Sequence, residues 1–354
     1  MAKNIVISGE TLTGKTMVAL AIAAKFRSEG HSVGYFKPVG QKSFDLGDES
    51  QDIDEDAAVM KEVLELDTDL DCICPIVRTK SSYDEFIQIG HEALVKRIKS
   101  CYAKVAKDKD FVLAEGTKAP WHLLHVGLST PQIAKILDAS VICLVNFKEV
   151  TAIDDVLLDR DFFRQYGIDQ IGVILSMVPP MLKKAVEERI RPFLEENGVK
   201  FLGTIYQRRE LFSPTVREIL RALDGEMITG EDKMDVLIDR FLTGAMSPEN
   251  ALKWFRRAKD KAVITSGDRA DICLAALETD TNLLILTGGM GPDIRTLSKA
   301  KEMDVPILMT PYDTYTTGKR VDSIAGTVSV ENKEKLAIVQ KIVGDALDLT
   351  GFDP

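Results

Sequence analysis

The sequence predicts an α/β fold: a doubly wound, mostly parallel sheet followed by a second, smaller α/β domain. Three observations carry this. Short apolar runs at 4–8, 33–39, 111–115, 141–146, 171–176 and 201–205 alternate with longer stretches of helical period. Several runs are nearly continuous rather than alternating, as expected for parallel strands covered on both faces. The first run, Asn4-Ile5-Val6-Ile7, passes through a glycine-bounded turn into an Ala-rich amphipathic stretch, Met17 to Phe26.

The helices expected between these strands are 16–29, 54–65, 85–106, 129–138, 152–166 and 181–196. In 85–106, Phe86, Ile87, Leu94, Val95, Ile98 and Tyr102 recur at helical spacing, with Lys and Arg between them. The Gly- and acid-rich stretch 223–232 reads as a boundary. After it, strands are expected at 261–265, 283–287 and 305–309, alternating with helices at 248–257, 268–277 and 293–302. Residues 332–349 form a last amphipathic helix. The domains expected are therefore 1–222, a linker 223–232, 233–330, and a C-terminal helix and tail 331–354.

The turn after the first strand is Gly9-Glu10-Thr11-Leu12-Thr13-Gly14-Lys15-Thr16, followed by Met17. G-x-x-x-x-G-K-T between a strand and a helix is the phosphate-binding loop of P-loop NTPase-type folds. Its glycines let backbone N–H groups point at phosphate oxygens, and the helix N-terminus adds a dipole favourable to anions. Lys15 supplies full charge to the β/γ-phosphates and Thr16 a hydroxyl for Mg²⁺. ATP, or another nucleoside triphosphate, with Mg²⁺ is the expected ligand.

A nucleotide site also needs carboxylates for the metal. Phe111-Val112-Leu113-Ala114-Glu115-Gly116 is a hydrophobic strand ending in an acid, which places Glu115 at the ligand-binding end of a parallel sheet. Asp52-Ile53-Asp54-Glu55-Asp56 is a second source, and it is equally what an acidic first helical turn looks like. Lys37, after Tyr35-Phe36 and before Pro38, ends the second strand. There a lysine either reaches a transferring phosphate or an acidic substrate, or simply meets solvent.

Composition narrows the function classes. A 354-residue chain exceeds one typical domain. A net charge of −10 argues against a nucleic-acid surface on the scale of the whole protein. No apolar run approaches the ~20 residues of a spanning helix, and the N-terminus lacks a signal-peptide pattern, so a cytoplasmic location is expected. The odd, scattered cysteines (72, 74, 101, 143, 273) read as reduced thiols. His31, His91, His122 and His125 form no triad or metal pattern, and Trp121 and Trp254 read as packing residues.

Taken together, the loop at 9–16, Lys37-Pro38-Val39, Asp54 or Asp56, and Ala114-Glu115-Gly116 make residues 1–222 resemble dethiobiotin synthetase and its relatives. The resemblance implies that Lys15 and Lys37 act on phosphate and substrate. It also implies that Thr16, Asp54 or Asp56, and Glu115 gather Mg²⁺. The sequence departs from that family where substrate and base are read: Gly40-Gln41-Lys42 follows Lys-Pro-Val, Thr117-Lys118-Ala119-Pro120 follows Glu-Gly, and Ser176-Met177 replaces an expected asparagine.

Residues 233–330 resemble the DRTGG domain through Gly244-Ala245-Met246-Ser247, Gly267-Asp268-Arg269-Ala270-Asp271-Ile272, Leu286-Thr287-Gly288-Gly289 and Asp313-Thr314-Tyr315. Thr287-Gly288-Gly289 could form an anion nest faced by Asp268 and Arg269, a candidate second ligand site. The alternative is an Asp N-cap beside a structural ion pair. The two domains in this order resemble the N-terminal portion of long-form phosphotransacetylases, without the acetyl-transfer domain. That resemblance implies a regulatory, nucleotide-responsive protein with at most slow ATPase activity, a homo-oligomer (dimer or higher), with a metabolic enzyme as a further partner. The alternative is an ATP-dependent ligase, a carboxylase or amidoligase acting through an acyl-phosphate. Phosphotransacetylase activity from this chain alone is not expected.

Overall fold

The computed structural model describes residues 2–41, 53–79, 82–324 and 333–351. Lys42 and Asp52 lie outside them. The chain divides into two compact units, one of 1–208 with 328–354, the other of 209–327.

In the first unit the strands are β1 (Lys3–Gly9), β2 (Val33–Phe36), β3 (Val39–Gln41), β4 (Ile76–Arg78), β5 (Phe111–Glu115), β6 (Ser140–Asn146), β7 (Gly172–Val178) and β8 (Lys200–Tyr206). Six of them form a parallel sheet in the order β2-β5-β1-β6-β7-β8. Chain order reverses at β1, which pairs with β5 (Ile7 opposite Glu115) and with β6 (Gly9 opposite Leu144). A crevice at the carboxyl end of β1 is the ligand position this topology creates. Burial on both faces explains the continuous apolar runs: Ile5, Val6, Ile7, Val112, Leu113 and Ile142 are all buried. Helix α1 (Lys15–Ser28) packs on this sheet, and the Phe26 ring stacks 4.3 Å from Phe111.

The run expected as one strand at 33–39 divides. Pro38 has no N–H for a ladder, and the Lys37 N–H donates to the Ile73 carbonyl, 2.8 Å away. The chain then leaves the main sheet and forms the small parallel pair β3–β4. The helix expected at 85–106 is likewise two helices, Ser82–Ile89 and His91–Val105, separated at Gly90 with φ +80°.

The second unit holds β9 (Glu226–Thr229), β10 (Arg240–Thr243), β11 (Lys261–Ser266), β12 (Thr281–Thr287) and β13 (Ile307–Met309), in the order β10-β11-β12-β13-β9. All neighbours are parallel except β9, which runs antiparallel along the edge. The stretch 223–232 thus carries a strand. Among the described residues, no helix is long and apolar enough to cross a membrane. Trp121 and Trp254, expected in the packing, are 47% and 53% exposed.

Candidate nucleotide site

The turn from β1 to α1 is built for close backbone approach. Gly9 has φ +148°, and a Cβ there would lie 2.6 Å from the Leu144 carbonyl and 2.8 Å from Thr13 Oγ1. Gly14 has φ +92°, with buried Met17 beneath it. Leu12, at φ +62°, takes up a left-handed conformation without being glycine, and its side chain is 39% exposed. Within the loop Thr13 Oγ1 donates to the Glu10 carbonyl, 2.8 Å away, while Thr11 is exposed. Ser176 Oγ, at the end of β7, donates to the Thr13 carbonyl at 2.8 Å from full burial. Helix α1 begins with no side-chain cap and no acid in its first turn, so nothing from its own residues competes for an anion there.

Lys15 Nζ is folded onto its own loop. It donates to the Gly9 carbonyl at 2.9 Å and the Glu10 carbonyl at 2.8 Å. These are neutral acceptors, and burial pushes the ammonium down to about 8.

The second lysine has charged partners. Lys37, 8% exposed, places Nζ 2.9 Å from Asp54 Oδ1, 2.6 Å from Asp56 Oδ2 and 3.9 Å from Glu115 Oε2. Burial alone would lower this ammonium, but Asp56, Glu115 and Asp54 outweigh it and hold Lys37 well above its ordinary value. Asp54 caps helix α2 (Glu55–Val63), accepting from the Ala57 N–H at 3.0 Å, and its other oxygen accepts from the Gln41 N–H at 2.8 Å. Gly40 makes this approach possible, since a Cβ there would lie 2.6 Å from Asp54 Oδ2. Asp54, expected as a metal ligand, has both oxygens committed to Lys37 and to backbone; it realises the helix-start alternative.

Asp56 is enclosed by charged neighbours yet 37% exposed, as a residue on a crevice wall is. Burial works against its ionisation, but the Lys37 ammonium, aided by Lys15 and the Thr16 hydroxyl, holds its carboxyl below the usual range. Glu115 is 1% exposed, and burial raises its carboxyl against the pull of Lys37. The buried Tyr35 hydroxyl lies beside this carboxylate and favours its ionised form, and neither that hydroxyl nor Glu115 Oε1 has a further hydrogen-bond partner among the described residues. No group of three or more acids, histidines or cysteines is assembled into a ready metal shell among the described residues. The side chains here are therefore too few to hold a metal alone, and a phosphate would have to complete the shell.

Three participants carry no readable sequence signal. Ser176 looks like a lost asparagine but supports the loop. Gly40 makes room for Asp54. Arg78, at the end of β4, donates from Nη2 to Gln41 Oε1 at 2.9 Å and from Nη1 contacts His122 Nε2, which the Tyr83 hydroxyl also meets at 2.9 Å. Burial, with Arg78, Lys118 and His125 nearby, pushes His122 down to about 4, so its ring is neutral at ordinary pH.

In the second unit the Thr287-Gly288-Gly289 turn has positive φ at both glycines, but its N–H groups are spent. Gly288 donates to the Tyr312 carbonyl at 2.8 Å and Gly289 to the Thr310 carbonyl at 2.9 Å. That removes the expected anion nest. Arg269 pairs with Asp271 at 3.0 Å and donates to the Met246 carbonyl, leaving exposed Asp268 outside the pair. Asp268 does not cap the helix Ala270–Leu277 either, where Arg269 holds the cap position without a side-chain bond.

Comparison with known proteins agrees with this division. The AAA domain profile matches residues 3–215 and the DRTGG domain profile residues 218–324. The phosphate acetyltransferase of Synechocystis is 26% identical over 353 residues, 92% of this chain and 48% of that protein. The chain thus spans about half the length of the curated relatives of this kind. The ATP-dependent dethiobiotin synthetase of Methanocaldococcus jannaschii is 26% identical over 225 residues, 61% of this chain and all of that protein. Among solved structures, the CBS and DRTGG domains of the regulatory region of Clostridium perfringens pyrophosphatase match at 22% identity. They cover 38% of this chain and 65% of that one, with a TM-score of 0.29, too low to carry weight. With its P-loop, its parallel sheet and a profile match over more than half its length, the chain belongs to the AAA domain family, in the dethiobiotin synthetase-like form that is followed by a DRTGG domain.

Proposed function

We propose that the first unit binds ATP with Mg²⁺ and that the protein is a nucleotide-responsive regulatory or assembly component with at most slow ATP hydrolysis. The observation that carries this reading is the state of Lys15. Its ammonium rests on two neutral carbonyls that a polyphosphate would replace with charge-assisted bonds. The loop fits the ligand: Gly9 lets the turn close against the Leu144 carbonyl, where a Cβ would clash, and α1 offers an uncapped N-terminus. Glu115, a buried hard-oxygen donor whose Oε1 meets no group but the Tyr35 hydroxyl, fits a divalent cation, with Asp56 and the Thr16 hydroxyl as the other protein groups. The cation would neutralise phosphate charge.

The chain's own residues have separate tasks. Lys37, kept protonated by its carboxylates, is a fixed positive charge and not a base. Asp54 orients it. Hydrolysis also needs a group to orient or deprotonate water. Within this cluster Asp54 is committed to Lys37 and to backbone N–H groups, which leaves Glu115 and Asp56, and the metal would claim both carboxylates. Slow turnover follows.

A second reading, an ATP-dependent ligase acting through an acyl-phosphate, is favoured by Arg78. This half-buried guanidinium has no carboxylate partner among the described residues and stands beside the strand that follows Lys37, where an acidic substrate would be held. The two readings separate in one assay of phosphate release. ATP and Mg²⁺ alone should give slow release, unchanged by added carboxylic acids with bicarbonate or an amine. Release stimulated by an acid would establish the ligase instead. Absence of any ATP-induced thermal shift would overturn both.

A further inference from the structure

The first unit carries a second cavity, of about 720 Å³, on the edge of its sheet at β8. That is within the ~300–1,000 Å³ range of small-molecule sites. No residue of the 9–16 loop lines it. Its walls are the chain after β7, the strand β8 and the C-terminal segment. They bring Lys183, Arg191, Arg208 and Lys341 around one space, against two acids, Glu187 and Asp348.

Two features mark this as more than a surface groove. The first is an excess of uncommitted positive charge. Arg191 pairs with Glu195 at 3.0 Å, but Lys183, Arg208 and Lys341 form no ion pair with any described residue, Lys183 only resting 6.0 Å over the Tyr206 ring. Asp348 accepts from the Thr350 N–H and hydroxyl at 3.0 and 2.6 Å and keeps its charge, so four cations face two acids. The second is a buried polar floor. Thr204 is 7% exposed, and Thr204 Oγ1 and the Tyr206 hydroxyl are buried with no partner beyond each other. Their remaining hydrogen-bonding capacity is open to a ligand or an ordered water.

The C-terminal wall is held in place. Leu347 bridges antiparallel to Gly203, and the Asp348 N–H donates to the Leu202 carbonyl at 2.7 Å. Gly203 permits this contact: its φ is +151°, and a Cβ would fall 2.1 Å from the Ala346 carbonyl. Lys25 of α1 in turn donates to the Leu347 carbonyl at 3.5 Å, and the helix Lys333–Ala346 packs on α1. The C-terminal segment that walls the cavity is therefore packed on the helix that begins at the phosphate loop.

We propose that this cavity is a second ligand site, taking a small phosphorylated metabolite of about sugar-phosphate size. Three uncommitted cations exceed what a single carboxylate needs and suit a dianion with several acceptor oxygens. The volume exceeds that of inorganic phosphate, and the remaining space is walled by Phe201 and Tyr206, whose rings lie 5.4 Å from the Arg191 guanidinium and 6.0 Å from the Lys183 ammonium. The ligand would bridge Arg208 and Lys183 to Lys341 and so fasten the C-terminal segment to β8.

The test uses the full chain, with ribose 5-phosphate as the probe and ribose and succinate as controls, followed by calorimetry and thermal shift. Because the probe's phosphate could enter the loop at 9–16, the titration is repeated in Lys15→Ala. The expected result is saturable binding at millimolar concentration or below in both proteins and none of ribose or succinate. The variant Arg208→Ala/Lys341→Ala, altered at two exposed positions, should fold with an unchanged circular dichroism spectrum and bind at least about tenfold more weakly. The proposal is overturned if ribose 5-phosphate fails to bind, if Lys15→Ala abolishes its binding, if the double variant binds it as the parent does, or if succinate binds equally well. If the double variant lost its fold, Lys341→Glu alone, at an exposed position of the helix Lys333–Ala346, would give the same reading.

Discussion

Raising the pH should weaken nucleotide binding through one side chain, Lys15. In the ligand-free protein burial lowers its ammonium to about 8 from an ordinary 10.5, a gap worth roughly 3 kcal/mol. A polyphosphate placed against the ammonium restores its charge, so binding is coupled to proton uptake. At about pH 8 half of the free sites are deprotonated, and the complex should take up about half a proton on forming. Above about pH 8 the association constant should fall by up to roughly tenfold per pH unit, towards a limit set by that gap. The phosphates have already lost their last proton, at about pH 6, and do not contribute. The linkage to folding has the opposite sign. The folded lysine binds its proton less tightly than the unfolded one, so the ligand-free protein gains stability as pH rises from about 8 towards 10.5. Calorimetry of Mg²⁺·ATP binding in buffers of different ionisation enthalpy counts the protons directly. A flat affinity between about pH 7 and 9.5, or the same slope in Lys15→Met, would refute the assignment of this titration to Lys15.

Three further outcomes follow from single contacts. Ser176→Ala leaves the buried Thr13 carbonyl without its 2.8 Å donor and should cost about 1–3 kcal/mol in urea unfolding, with weaker ATP binding. Glu115→Gln should stabilise the ligand-free protein above neutral pH. The folded carboxyl is raised by burial, so its ionisation opposes folding as pH rises, and the amide removes that penalty. The same variant should lose the Mg²⁺-dependent part of the ATP thermal shift, and an unchanged shift would count against Glu115 as a metal group. Asp159 is 7% exposed, and burial, with Glu10 and Asp155 nearby, raises its carboxyl to about 7 from 3.8. Stability should therefore fall between about pH 4 and 7, and Asp159→Asn should recover up to ~4 kcal/mol at pH 8 and flatten that dependence. Urea unfolding at pH 5 and pH 8 measures both.

The parts of the site that were legible in the sequence are those fixed by local spacing. Gly9 to Thr16 must form a turn between a strand and a helix, and the strand ending at Glu115 pairs with β1, so Glu115 comes to rest opposite Ile7. Lys37 could be placed at a strand end but not assigned a partner, because its ion pairs depend on how α2 returns to the sheet. Asp54 and Asp56 were indistinguishable in one dimension. Helix geometry separates them: Asp54 caps the helix, while Asp56, two residues on, faces the crevice. Ser176 could not be found, because its contact spans 163 residues and a serine after a strand has many uses. Strands β9 and β10 were missed because Glu226-Met-Ile-Thr and Arg240-Phe-Leu-Thr are short, half-exposed edge segments without a sustained apolar run. Thr287-Gly288-Gly289 shows the converse error. Its composition allows a nest, but only the fold reveals that its N–H groups are already bonded to the 310–312 turn.

The position of Lys15 Nζ with and without nucleotide is the most direct measurement. A crystal structure with Mg²⁺ and a non-hydrolysable ATP analogue should show the polyphosphate seated in Gly9–Thr16, with Lys15 moved from the Gly9 and Glu10 carbonyls onto phosphate oxygens and Glu115 facing the cation. Lys15 still bonded to those two carbonyls beside an empty loop, at saturating nucleotide, would contradict it.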